Sequence, residues 1–219
     1  MAVLVKICGI NSVEAADAVV RARADFAGLN FHPKSPRFVG PEQAQSLAAR
    51  MRGRVKLVAL TVDPTDEMLA GILTVTRPDF IQLHGAETPA RVAAIHSRFQ
   101  VPVIKVLPVA EPDDLANLAV YEDAADMMMS DARPPSGAER TGGHGAAFDW
   151  QILRGRKFTR PWMLAGGLTP ENVARAIAIS EAPIVDTASG VERAPGVKDA
   201  EKIAAFVTAA RNAQYGAAA

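Results

Sequence analysis

The sequence predicts an α/β fold, a (β/α)8 barrel formed as one domain over residues 1–219. Strand-like and helix-like runs alternate along its whole length, and eight such units are evenly spaced within 219 residues. Alternation of this kind implies a parallel sheet, because each crossover between parallel strands carries a helix. Eight units closed by right-handed crossovers give a barrel, and the chain has the length such a barrel needs. An open doubly wound sheet would want a glycine-rich turn after an early strand. Here the glycine pairs come late, at Gly142-Gly143 and Gly166-Gly167.

The first strand is the apolar, β-branched run of Val3, Leu4, Val5 and Ile7, which ends on Cys8 before Gly9 turns the chain. Ser12 suits the N-cap of a helix containing Val13, Ala16, Val19 and Val20. Asp25 to Asn30 reads as the second strand. The loop from Phe31 to Phe38 follows, and its Pro33 and Pro36 rule out a regular helix. Pro41 fits the first turn of a helix running to about Met51. Val55 to Val62 is the third strand, Thr65 starts a helix that ends before Pro78, and Asp79 to Leu83 is the fourth strand. Thr88 caps a helix to about Phe99. Val101 to Leu107 is the fifth strand and Glu111 to Tyr121 the fifth helix.

Asp126 to Asp131 is the sixth strand, although Met127-Met128-Met129 has weak β propensity. A Pro- and Gly-rich loop runs from Ala132 to Ala147, and Phe148 to Leu153 looks like a short helix. Trp162 to Ala165 is the seventh strand. Thr169-Pro170-Glu171 opens a helix with a capping residue and a proline at its first position. Ile184 to Thr187 is the eighth strand. Lys198 to Ala213 is the last helix, with Ile203, Phe206, Val207 and Ala210 on one face, and the Ala-rich tail after Tyr215 is expected to fray.

Composition narrows the function classes. Apolar residues make up 49% and charged residues 22%, ordinary for a globular protein, and 24 Lys plus Arg balance 24 Asp plus Glu. A balanced charge argues against a general affinity for nucleic acid or a membrane surface. One cysteine excludes an internal disulfide and fits a reducing cytoplasm. No basic-then-apolar leader opens the sequence, and no apolar run approaches the roughly 20 residues of a membrane helix.

In barrels of this kind chemistry sits where the strands end. Those ends are Cys8, Asn30, Val62-Asp63, His84, Leu107, Asp131, Gly166-Gly167 and Ala188-Ser189-Gly190. Alternation from the ends turns Lys6, Gln82, Lys105 and Asp186 inward as well. A lone strand cysteine is ordinarily a small core hydrophobe, and lone inward charges ordinarily survive by pairing. Lys6 and Asp186 lie on neighbouring strands and could pair, as could Lys105 and Asp131. The convergence of the whole set on one mouth is what speaks for a site. Glycines after the sixth, seventh and eighth strands let backbone N–H groups approach an anion, and a short helix near Ser189 would add its dipole. Loops after the last two strands are the usual phosphate site of this fold.

Six stretches carry a resemblance that runs from residue 5 to residue 199. They are Val5-Lys6-Ile7-Cys8-Gly9, Pro33-Lys34-Ser35-Pro36-Arg37, Gln82-Leu83-His84-Gly85, Gly142-Gly143 to Phe148-Asp149-Trp150, Leu164-Ala165-Gly166-Gly167-Leu168, and Ser189-Gly190-Val191-Glu192 followed by Gly196-Val197-Lys198-Asp199. Together they resemble the phosphoribosylanthranilate isomerases of tryptophan biosynthesis. The resemblance implies an Amadori rearrangement of a phosphoribosylated anthranilate, an aminoaldose, into a carboxyphenylamino-deoxyribulose phosphate, an aminoketose. It implies Cys8 as general base, Asp131 as general acid, and Arg37 as the forked donor to the anthranilate carboxylate. His84 and Asp186 would join in substrate binding, and Gly142, Gly143, Gly166, Gly167, Ser189 and Gly190 would hold the phosphate. The implied partner is a small phosphosugar, with no redox cofactor and no metal. The scattering of His32, His84, His96 and His144 agrees with a metal-free site.

Two positions depart from the family pattern. His144 stands where a small hydroxyl residue is usual, and Ser130 precedes Asp131 where an apolar residue is usual; alternation turns Ser130 outward. Two rival readings share the fold. The related phosphosugar isomerase of histidine biosynthesis would carry an aspartate at the end of the first strand, where this chain has Cys8. A non-catalytic binder of phospho-ligands would keep the glycine loops but has no need of an inward thiol and carboxylate.

Overall fold

Val5 and Ile7 of the first strand pack outward under the helices, which leaves Lys6 and Cys8 facing into the barrel. The structure, a computed structural model, describes residues 2–133 and 148–214. Eight strands close in sequence order, all parallel: β1 (Leu4–Cys8), β2 (Phe26–Asn30), β3 (Lys56–Thr61), β4 (Phe80–Leu83), β5 (Val103–Val109), β6 (Met127–Ala132), β7 (Trp162–Leu164) and β8 (Ile184–Thr187). Helices α1 (Val13–Arg21), α2 (Pro41–Met51), α3 (Asp66–Thr76), α4 (Pro89–Phe99), α5 (Leu118–Glu122) and α6 (Val173–Ser180) lie in the crossovers, that from β6 to β7 holding a 3-10 turn among its described residues, and α7 (Ala200–Arg211) follows β8. The side chains of Ser12, Thr65 and Thr88 accept from the N–H three residues on and start α1, α3 and α4, each cap worth about 1 kcal/mol.

Two apolar layers follow from strand alternation. The inner one comprises Phe26, Val58, Ile104, Val106, Met127, Met129, Met163, Ala165 and Ile184, with Phe80 against it. Burial on both faces overrides the weak β propensity of the methionines, and their flexible side chains fill the barrel centre. No apolar residue of β1 joins this layer; β1 contributes Lys6 instead.

Several elements differ from expectation. The fifth helix is broken: a 3-10 turn (Pro112–Leu115) is followed at Asn117 (φ −93°, ψ 7°) by the short α5. Asp114 accepts from the N–H groups of Ala110 and Glu111, which ties the first turn to the preceding chain. The stretch Phe148 to Leu153 holds only a 3-10 turn, Trp150–Leu153. Helix α6 begins after Asn172 rather than at Pro170. The Asn172 side chain folds back, accepting from Thr169 N and donating to Gly167 O, and holds those residues as a turn. A small hairpin, β9 (Glu192–Ala194) and β10 (Val197–Lys198), turns at Gly196 (φ +79°), where a helix was expected to begin two residues later. Helix α7 therefore starts after Asp199, whose carboxylate accepts from Glu201 N and Lys202 N. The Ala-rich tail after Tyr215 lies outside the described residues.

Lys105 corrects the expectation that it faces inward beside Asp131. Val103, Leu107 and Val109 belong to the outer layer and Ile104 and Val106 to the inner one, so Lys105 points outward. There its ammonium meets Glu87 Oε2 at 2.6 Å and the Gly85 carbonyl at 2.7 Å, under the Tyr121 ring. Glu87 also accepts from Asp63 N and Gly85 N, so it closes the loop between β4 and α4. Glu87→Ala therefore leaves a buried ammonium without its counter-charge and two N–H groups without partners. The expected cost is about 3–5 kcal/mol, read as a lower denaturant midpoint with an unchanged slope. A change under about 0.5 kcal/mol, the usual range of surface substitutions, would show that solvent already reaches the pair.

Candidate active site

The site is built from strand ends, and its charged side is a chain of ion pairs. Lys6 Nζ lies 2.8 Å from Asp186 Oδ1, wholly inside the barrel. Burial opposes the charge of Lys6, but Asp186 and the neighbouring Cys8 thiol outweigh it and raise its pKa. Cys8 is one inward step nearer the mouth. Burial pushes its thiol above the ordinary range; Lys6 pulls the other way, Asp186 adds to the rise, and Lys198 and Arg37 lower it again. Space around the sulfur is made by Gly28 on β2, where an added Cβ would stand 2.9 Å from Sγ.

Arg37 comes from the loop after β2 and is 5% exposed, not the surface arginine that its loop position alone would give. One edge of its fork is already engaged: Nε and Nη2 donate to Glu192 Oε1 and Oε2 at 2.7 and 2.9 Å. The remaining guanidinium edge is the part with donors for a further anion. Glu192 also accepts from Lys198 Nζ and Gly196 N. Burial works against its charge, yet Arg37 and Lys198 hold its carboxyl below the usual range. Lys198, whose ammonium also donates to the Ala188 carbonyl, has its pKa lowered by burial, opposed by Glu192 and furthered by Arg37. The pattern of residue types had marked Arg37 but not its tie to Glu192; the only trace of it was the place of Glu192 and Lys198 in the matching stretches.

On the opposite side of the mouth one carboxylate stands with no lysine or arginine bonded to it among the described residues. Asp131 ends β6 facing inward. Its Oδ1 accepts from Ala132 N at 2.8 Å and its Oδ2 lies 3.2 Å from His84 Nε2. His84 Nδ1 lies 3.1 Å from Gln82 Nε2. Ser130 is buried in the outer layer beside Met128, as alternation requires. An apolar recess of about 420 Å³ opens beside this group, lined in part by His84, Leu107, Tyr121 and Asp131.

Between the two sides stand the glycine loops. Gly166 and Gly167 take positive φ (+91° and +62°), and a Cβ on Gly166 would press on the Ala132 backbone. A single 3-10 turn, Ser189–Val191, follows β8, and Gly190 packs on the Leu168 carbonyl that also accepts from Thr187 Oγ1. Asp131, Gly167, Asp186 and Ser189 border one small depression. Gly142, Gly143 and His144 lie outside the described residues. Among the described residues no group of three or more His, Cys, Asp or Glu is placed to hold a metal ion, and no helix is long and apolar enough to cross a membrane.

Residues 5–209 match the family model described as N-(5'phosphoribosyl)anthranilate (PRA) isomerase. Proteins named N-(5'-phosphoribosyl)anthranilate isomerase include one from Paramagnetospirillum magneticum, 52% identical over 96% of this chain and 98% of that one. Another, from Rhodopseudomonas palustris, is 53% identical over 94% and 95%. The crystal structure of the phosphoribosyl anthranilate isomerase of Thermotoga maritima superposes with a TM-score of 0.84 at 34% identity, covering 95% of this chain and 98% of that one. A crystal structure of such an isomerase in complex with reduced 1-(o-carboxyphenylamino)-1-deoxyribulose 5-phosphate has a TM-score of 0.81 at 32% identity, covering 95% and 98%.

The thiol of Cys8 is expected to titrate above the ordinary value of about 8.5, because burial dominates its surroundings. Lys198→Met removes a cation that favours the thiolate and should move the midpoint higher still. Thiolate absorbance in the ultraviolet, followed against pH with Cys8→Ser as the blank, measures both. A midpoint that does not rise in Lys198→Met would show that this lysine does not favour the thiolate.

Proposed function

The chain belongs to the N-(5′-phosphoribosyl)anthranilate isomerase family, and from that premise we propose that it isomerises phosphoribosylanthranilate in tryptophan biosynthesis by an Amadori rearrangement. The observation that carries the acid–base assignment is a contrast between carboxylates. Asp186 is neutralised by Lys6, whereas Asp131 reaches the same mouth with no lysine or arginine on it among the described residues. Across the mouth stands Cys8, the one thiol in the chain. The relative that binds the reduced aminoketose phosphate supports a phosphosugar substrate.

Asp131 gives its proton to the furanose ring oxygen as the nitrogen lone pair pushes the C1–O bond open to an iminium. Cys8, as thiolate, takes the proton from C2, and the electrons of that bond neutralise the iminium to an enolamine. The 2-hydroxyl then loses its proton while C1 gains one, which leaves the ketone. The free edge of Arg37 takes the anthranilate carboxylate, a forked contact between a fixed cation and a planar anion. His84 and Asp186 border the sugar, and Gly166, Gly167, Ser189 and Gly190 offer backbone N–H groups to the phosphate; Gly142 and Gly143 belong to the same set. No step needs a redox cofactor or a metal ion, so activity is expected to survive exhaustive chelation. The single cysteine and the biosynthetic role fit a cytoplasmic enzyme.

The test is a coupled assay with phosphoribosylanthranilate and added indole-glycerol-phosphate synthase. Cys8→Ser and Asp131→Asn should each lower kcat by about 10²–10⁴ with the fold intact, the usual worth of a general base or acid. If Cys8→Ser keeps the parent's kcat, the cysteine is a core residue and the thiol mechanism is wrong. With Cys8 mainly thiol at neutral pH, the active form pairs a minority thiolate with a protonated acid, so the high-pH limb of kcat/KM should follow the Cys8 titration. A limb that stays put in Lys198→Met while the thiol midpoint moves would assign it elsewhere.

Arg37→Ala should raise KM by about 10²-fold or more with a much smaller change in kcat, as loss of uniform binding does. A fall in kcat alone would place Arg37 at the reacting atoms instead.

A further inference from the structure

Gln82 is almost fully buried at 1% exposure and faces into the barrel between Met129 and His84. Its Nε2 lies 3.1 Å from His84 Nδ1, while its Oε1 is a buried acceptor with no partner among the described residues. A buried acceptor left unpaired is costly, which makes the direction of this amide a point of consequence. An amide nitrogen only donates. Facing Nδ1, it requires that atom to accept. The neutral imidazole then carries its hydrogen on Nε2 and donates it to Asp131 Oδ2, 3.2 Å away. Asp131 in this state accepts two N–H groups, from His84 and from Ala132, and a proton on Oδ2 would meet the Nε2 hydrogen head on.

A half-turn of the Gln82 amide exchanges Oε1 and Nε2 in nearly the same volume. Oε1 then accepts from a hydrogen on Nδ1, Nε2 of the ring becomes an acceptor, and an Oδ2–H of Asp131 donates to it. The change is balanced by one solvent proton: the Nε2 hydrogen passes to Oδ2, the incoming proton ends on Nδ1, and no bond between heavy atoms breaks. We propose that Gln82 is a positioning residue whose amide orientation selects the His84 tautomer and so decides whether Asp131 holds the proton it gives to substrate. The proposal rests on the acid role of Asp131.

The groups around this relay are balanced among the described residues. Lys105 on β5 is held by Glu87, Asp186 on β8 is held by Lys6, and Met129 on β6 and Tyr121 on α5 are neutral at ordinary pH. Hydrogen-bond direction is therefore free to set the proton's place.

Nitrogen-15 NMR of the histidine rings in the full chain, without ligand at neutral pH, reads the tautomer directly. The parent should show His84 with hydrogen on Nε2. Gln82→Glu presents only acceptors and should move the hydrogen to Nδ1, while Gln82→Met, which neither donates nor accepts, should give a mixture. In the coupled assay Gln82→Met should lose about tenfold in kcat at unchanged KM, the scale of one hydrogen bond, with Gln82→Glu recovering part of it. Hydrogen on Nδ1 in the resting parent, or the same tautomer in the parent and both variants, would overturn the proposal. If the parent shows no isomerase activity, the assignment of Asp131 as acid fails, and the tautomer result still decides the coupling of Gln82 to His84.

Discussion

A buried ion pair at the seam of the barrel is the constraint from which the site follows. Lys6 and Asp186 are register partners on β1 and β8, strands from opposite ends of the chain, and their side chains meet at 2.8 Å where every other strand supplies apolar groups. Such a pair adds little net stability over a well-packed apolar pair, because both ions lose their water. Its effect is on register. A slip of β1 by one residue would turn Lys6 away from Asp186 and leave two buried charges unpaired. The same slip would turn Cys8 out of the barrel. The register that pairs the charges is the register that places the thiol at the mouth.

The period of two along each strand also explains which residues could be read from the sequence. Lys6, Cys8, Gln82, Asp131 and Asp186 face inward because each lies an even number of residues from an inward strand end. Lys105 breaks the pattern because β5 ends on an outward residue: Val103, Leu107 and Val109 lie in the outer layer, and the inward positions are those of Ile104 and Val106. One residue of parity is the difference between a cation at the mouth of the barrel and one on the outer face of the sheet. The capped helices α1 to α4 were equally legible, since Ser12, Pro41, Thr65 and Thr88 act within one turn. The fifth helix and the β9–β10 hairpin were not, because the first is broken by a side chain returning to the chain before it and the second forms against the loop of Arg37.

Contacts between distant segments carried no local signal. Arg37 and Glu192 are 155 residues apart in sequence, and nothing in the composition of either stretch says that one edge of the guanidinium is already occupied. The consequence for recognition is directional. A fork with both edges free would meet a carboxylate from either side; a fork locked by Glu192 presents one edge only, and from a fixed position, because Glu192 is itself held by Lys198 and the turn at Gly196.

The mouth thus has two arcs that hold protons by different physics. On the arc of β8, β1 and β2, three cations (Lys6, Arg37, Lys198) stand against two carboxylates (Asp186, Glu192), leaving one positive charge in excess around Cys8. A thiolate there would bring the set to neutrality, and what opposes it is burial rather than charge imbalance. An anion placed on the free edge of Arg37 would cancel that excess and make a thiolate at Cys8 scarcer. On the arc of β4 and β6, no lysine or arginine bonds the Asp131 carboxylate among the described residues, and its partners are the His84 ring, which Gln82 faces in turn, and Ala132 N. One arc answers first to charge and the other first to hydrogen-bond direction, and the depression that Asp131 shares with Gly167, Asp186 and Ser189 lies where the two meet.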